Sequence, residues 1–184
     1  LYAVFDVLGI NHLVYSDGAL REGVMYDLLG RFKHEDIRDR SVHALIGRYN
    51  ADAKQAERVV QTAQKLFNDV EHELGLTIED SDLLRRAAYL HEIGLAISHS
   101  GYHRHGAYLL QHSDIAGFSQ VDQNHLSHLV AHHRRKLRVD AKHDVMKVGG
   151  SKFLWLCLLL RLLGLVNHSC SDEMLPAIEL KVEN

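Results

Sequence analysis

Proline is almost absent from this chain: Pro176 is the only one in 184 residues. Helix interiors can therefore run uninterrupted, and together with the many Leu and Ala residues this favours helices almost throughout. Cysteine is nearly as scarce. Cys157 and Cys170 have neither the number nor the spacing for a disulfide framework or a zinc knuckle, which fits a reducing cytoplasm. A net charge of −3 gives no global basic field, so nucleic acid is not an expected partner. Long hydrophobic runs are missing as well. Residues 153–166 are the one strongly apolar stretch; it is shorter than a membrane span and Arg161 interrupts it, so a buried core helix is expected rather than a transmembrane segment. Residues 1–10 contain Asp6 and lack the basic start of a signal peptide. No glycine-rich phosphate loop or second acidic cluster is visible. The chain opens on Leu1 in mid-pattern and ends on a charged segment, as expected of a piece of a longer protein.

What is present is helical periodicity. A turn at Ser16-Asp17-Gly18 opens a helix carrying Leu20, Val24, Leu28 and Leu29 on one face. A second helix is expected over 34–49. A third begins at Asp52, with Gln55 placed for a capping box, and carries Ala56, Val59, Val60, Ala63, Phe67 and Val70 at helical spacing. Asp80 or Ser81 is expected to cap a fourth that runs into His91, with Gly94 loosening or ending it. Residues 103–112 make a fifth, and Ser119 with Asp122 caps a sixth through Leu126, Leu129 and His133. Residues 134–148 read as a charged exposed loop before the apolar helix. Weak alternation at 10–15 and 178–182 suggests a marginal strand at each end. The fold class is an all-α bundle with those two marginal strands.

Three constellations carry chemistry. His91-Glu92 closes an apolar helix, the context in which imidazole and carboxylate can begin a metal site. Tyr102-His103-Arg104-His105 and His132-His133-Arg134-Arg135-Lys136 start and end neighbouring helices; packed antiparallel beside His91 they form a concave face suited to a polyanion. The alternative is a solvated basic turn, and His12, His34, His43, His72 and His143 read as ordinary surface positions. Third, the helix start at residues 16–23, SDGALREG, offers free N–H groups and Arg21 to a phosphate.

The order and spacing of Gln55-Ala56-Glu57-Arg58-Val59, His91-Glu92 and the helix around Gly164 resemble histidine-aspartate (HD) domain phosphohydrolases. The resemblance implies an HD-like helical bundle, but its ligand positions are degenerate. Gln55 stands for the first His, Glu92 for an Asp and Gly164 for the last Asp; only His91 is retained, so no metal is expected in this chain. SDGALREG (16–23), DAKQAER (52–58) and LHEIGLAISHSGYHRHGAYLLQ (90–111) resemble more specifically the bacterial exopolyphosphatase and guanosine pentaphosphate phosphohydrolase family. That resemblance implies a two-part enzyme whose amino-terminal actin-like half carries the catalytic carboxylate, Mg²⁺ and phosphate loops. Residues 1–17 would be the tail of that half, and residues 18–184 the HD-like domain supplying substrate and homodimer contacts. The substrate would be inorganic polyphosphate or guanosine pentaphosphate, with no catalytic residue in this chain. By the resemblance Arg21 contacts substrate phosphate; His91, His103, Arg104, His105, His132, His133 and Arg134 are added from the residues themselves. Two other readings remain open, an autonomous HD-type metal phosphohydrolase and a purely structural interaction module.

Overall fold

A computed structural model describes residue 9, residues 36–135, residues 139–167 and residues 180–181. The chain divides into two compact units, Leu1–Asp36 and Ile37–Asn184, and nearly all the described residues belong to the second. The expected boundary at 17/18, the helix after Gly18 and the strand at 10–15 lie outside the described residues.

The second unit is all-α. Among the described residues its elements are α1 (Ile37–Arg48), α2 (Ala53–Leu74), α3 (Ile78–Leu90), a 3₁₀ turn (Ile93–Ala96), α4 (Tyr102–His112), α5 (Gln120–His132) and α6 (Val139–Val166). The periodic apolar residues of α2 become its buried face: Ala56, Val59, Val60, Ala63, Leu66, Phe67 and Val70. The Asp52 carboxylate accepts from the Gln55 backbone N–H and starts the helix, and Gly75, in the left-handed region at φ 61°, ends it. Helix α3 lies centrally, packing on α1, α2, α5 and α6. Leu84, Ala87, Ala88 and Leu90 are fully buried there, and the two alanines let neighbouring helices come close. Each large apolar side chain so buried contributes about 2 kcal/mol relative to exposure.

Helices α4 and α5 form an antiparallel pair sealed by side chains of α5. The buried Gln123 amide donates to the Leu110 and Ser113 carbonyls, each at 2.6 Å, and the Ser127 hydroxyl donates to the Ala107 carbonyl at 3.0 Å. The two Gln123 bonds satisfy carbonyls that the end of α4 leaves open, and the Ser127 bond adds to a carbonyl already within the helix. The approach of the 3₁₀ turn to α4 is closer still. A Cβ on Gly94 would overlap the Tyr102 carbonyl oxygen and the Gly106 nitrogen. Gly94 is thus required by backbone packing, a stronger demand than that of a helix stop.

Three local expectations change. Helix α3 is capped by Thr77, whose hydroxyl and the Asp80 carboxylate form a reciprocal capping box; Asp80 is the third helical residue. Residues 139–148, expected as loop, are helical, with Lys142, His143 and Asp144 exposed and Val145 buried beneath them. Helix α6 breaks at Gly149 and Gly150, the latter at φ 72°, ψ −159°. In the late segment, Leu180 and Lys181 are in no strand; the Leu180 N–H donates to the Asp69 carboxylate at 3.2 Å, so a side chain takes the bond a strand partner would have taken.

By length and composition, Lys142–Val166 is sufficient to cross a membrane. Its apolar part after the break, residues 153–166 with Arg161 inside it, spans about 21 Å at 1.5 Å per residue, short of a bilayer core. Phe153, Leu156, Cys157, Leu160 and Leu163 are buried against α2, α3 and α5, the behaviour of a core helix.

Candidate functional site

Helix α3 ends at Leu90 and delivers His91 as its cap and Glu92 beside it. Around them the four degenerate ligand positions come together: Gln55, His91, Glu92 and Gly164 line one cleft of about 400 Å³, with Asp52, Tyr102, Arg134 and Asn167 also at its walls. The donor set does not fit a metal. The Gln55 amide donates to the Asn167 carbonyl at 2.9 Å, and its oxygen accepts from Arg58 Nε at 3.1 Å and Nη2 at 2.7 Å. Both ends of that amide are occupied within the protein. Gly164 has no side chain, and among the described residues no three His, Cys, Asp or Glu side chains are grouped to hold an ion. Asn167 was not identified from sequence; a buried polar residue at the end of an apolar helix was the available signal.

Behind the cleft, His91, His103 and His133 pack with Tyr102 into a cluster of rings. Centroids lie 5.5 Å apart for His91–His133, 6.2 Å for His103–His133 and 5.4 Å for Tyr102–His133. His91 Nδ1 lies 2.6 Å from the Ala88 carbonyl and His133 Nδ1 2.7 Å from the Val130 carbonyl. A carbonyl can only accept, so each ring carries its proton on Nδ1 and presents a lone pair at Nε2. Burial disfavours the charged form and pushes His133 down to about 3, with neighbouring His91 adding to the effect. Burial also lowers His91 and His103, the latter further depressed by Arg104, Arg135 and Arg134. Each of these imidazoles is thereby biased toward its neutral form.

Permanent cations lie next to the cluster. Arg134 stands over the Tyr102 ring at 5.1 Å, and Arg134, Arg135 and Arg161 line a second pocket of about 260 Å³ with Tyr102, His133, Gly164 and Leu165. Arg161 Nη1 donates to the His132 carbonyl at 2.7 Å and Nη2 to the Arg135 carbonyl, which holds the end of α5 against α6. Among the described lining residues of this pocket there is no carboxylate.

The remaining predicted residues are distributed differently. Arg104 is exposed on the first turn of α4, and His105 is half-buried one residue on. His132 stacks on His128 at 5.9 Å. Arg21 lies outside the described residues. Arg135, part of the expected cationic face, lines this pocket, and Arg161, expected only as an interruption of the apolar helix, joins it there.

Comparison with known proteins decides the family. The family described as Ppx/GppA phosphatase, domain III, matches residues 37–184. The chain belongs to the Ppx/GppA phosphatase family. Guanosine-5'-triphosphate,3'-diphosphate pyrophosphatases of Vibrio cholerae serotype O1 and of Aeromonas hydrophila subsp. hydrophila are similar to it, at 34% identity over 185 residues and 37% over 184 residues. Each match covers 100% of this chain and 37% of the relative, so this Ppx/GppA chain spans little more than a third of their length.

Proposed function

We propose that this chain is the carboxy-terminal part of a phosphoanhydride hydrolase that removes the terminal phosphate of guanosine pentaphosphate or of inorganic polyphosphate. In this reading domain III binds substrate phosphates and contributes to a homodimer, while catalysis and Mg²⁺ belong to the part of the relatives that the chain does not span. The carrying observation is the pocket lined by Arg134, Arg135 and Arg161, three cationic residues with no carboxylate among the described lining residues. The occupied Gln55 amide and the bare Gly164 favour placing catalysis elsewhere over an autonomous metal site. The exposed apolar residues Trp155, Leu158 and Leu165 on α6 support a subunit contact. A cytoplasmic setting is supported by Cys157, a buried free thiol whose pKa burial raises to about 11.

Equilibrium dialysis of this chain with tripolyphosphate tests the reading. Binding is expected at low salt, weakening steeply as salt rises, with no hydrolysis and no stoichiometric metal. The double variant Arg134→Gln, Arg135→Gln lowers affinity about tenfold or more, the loss of two charge-assisted contacts. Absence of binding at low salt sinks the phosphate-binding role; hydrolysis abolished by His91→Ala, with bound metal, replaces it with an autonomous enzyme.

A further inference from the structure

The arginine pocket lies at the carboxy-terminal end of α5, with His133, Arg134 and Arg135 just past its last residue and Arg161 facing them from α6. The last carbonyls of a helix carry the negative end of its dipole, which disfavours an anion there. Phosphate can be held at such a place only by cations fixed in front of it. Arg161 shares the pocket, but both its terminal nitrogens already donate to backbone. Nη1 meets the His132 carbonyl at 2.7 Å, and Nη2 reaches past the helix end to the Arg135 carbonyl. The backbone it grips is itself out of the ordinary. Arg135 lies at φ 73°, in the left-handed region that glycine commonly takes just past a helix and that residues with a side chain resist. A glycine there would make the turn with less strain but bring no cation. Arg134 is held by other means, over the Tyr102 ring at 5.1 Å. Arg134 and Arg135 are both exposed, so their long side chains lose rotamer freedom on meeting a ligand unless the backbone beneath them is already fixed.

From this arrangement we infer that Arg161 is a positioning residue for phosphate binding. It fixes the turn at Arg135, and through that turn the two exposed guanidinium groups that meet phosphate, without touching the ligand itself. Its place in the fold suits the task. Leu160 and Leu163 beside it on α6 are buried in the core, so the holder stands on backbone that is itself held. The planar guanidinium fork reaches two carbonyls three residues apart, which a single ammonium cannot do. The inference rests on the phosphate-binding reading above, and it divides the three arginines of that pocket into two that bind and one that holds them in place.

The experiment is isothermal titration calorimetry of this chain with tripolyphosphate at constant low salt. Arg161→Met and Arg161→Lys are each measured alone and in the Arg134→Gln, Arg135→Gln background. Alone, Arg161→Met should weaken binding about fivefold, and Arg161→Lys, which keeps the charge but not the fork, still about threefold. In the background lacking both exposed guanidinium groups, either change should alter affinity by less than about twofold, the non-additivity of residues that act through one another. Circular dichroism and urea midpoints establish which variants are folded, and either folded variant decides through its cycle. Parent affinity in Arg161→Lys, or a loss repeated in full in the double-variant background, would make Arg161 a direct source of attraction and overturn the positioning role. A lowered urea midpoint with unchanged affinity would reduce it to a structural tie, which overturns the role as well. If the parent chain binds no tripolyphosphate, the phosphate-binding reading fails and this inference falls with it.

Discussion

Arg86 and His91 lie little more than one helical turn apart at the end of α3, and each is 4% exposed. The protein accommodates them in opposite ways. Arg86 keeps its charge: Nε meets Asp39 Oδ1 at 2.9 Å and Nη2 meets Asp82 Oδ2 at 3.5 Å, with Arg85 bound to the same two carboxylates. His91 gives its charge up, hydrogen-bonded through one nitrogen to Ala88 and surrounded by other neutral rings. A guanidinium cannot lose its proton at any pH a protein survives, so its burial requires partners. An imidazole can, so its burial needs only one acceptor and dry surroundings. Placed side by side, the two clusters show that charge at a buried site is set by what the group is able to release.

The largest expected effect comes from opening the neutral cluster without touching the ionic one. Gly94→Ala drives a methyl group into the backbone at Tyr102 and Gly106, and should cost about 4 kcal/mol or prevent folding, at the upper end of single-residue effects. Chemical denaturation measures it; a loss under 1 kcal/mol would show that the turn and α4 can separate cheaply.

Next is the ionic cluster. Asp39→Ala removes the nearest partner of Arg86 and leaves Asp82, so the cost should be about 2 kcal/mol, below that of a fully buried broken pair. Added salt should narrow the difference between parent and variant. An unchanged denaturation midpoint would mean that the partners Arg86 keeps compensate it without Asp39.

The gentlest probe is acid. His133 is neutral in the folded protein down to about pH 3, whereas the unfolded chain takes up its proton near 6.5. The unfolded state therefore binds more protons across that window, and stability falls as pH drops below 6.5. The slope is about 1.4 kcal/mol per pH unit for one such group, with His91 adding in the same direction. Urea midpoints at pH 7, 6 and 5 should decline, and His133→Gln should flatten the decline. Equal slopes in parent and variant would place the acid sensitivity elsewhere.

Much of this was legible in the chain. Ser119 with Asp122, three residues on, announced α5, and the periodic residues from Ala56 to Val70 announced α2. The spacing of Gln55, His91, Glu92 and Gly164 indicated positions that the structure brings to one cleft. What was missed depends on packing between segments. Thr77 was passed over because its partner is Asp80, where a capping box more often has Glu or Gln. Residues 139–148 looked like loop because Val145 is the one fully buried side chain among those described there. The neutrality of His91 and His133 arises from burial between α3, α4 and α5, which no local pattern records. Arg161 looked like an interruption of an apolar run, yet it ties α6 to the end of α5.

The break at Gly149 and Gly150 divides α6 into parts that need not open together. The ladder of backbone hydrogen bonds is interrupted where Gly150 turns to φ 72°, a conformation side-chain-bearing residues resist. Ahead of it, Val145 is the fully buried side chain among those described; behind it, Phe153, Leu156, Cys157, Leu160 and Leu163 belong to the core. In amide hydrogen exchange the first part should therefore exchange through local opening, and the second only when the whole domain unfolds. Arg161 stands on the slow part. The guanidinium of the arginine pocket is thus carried by the last backbone in the domain to loosen.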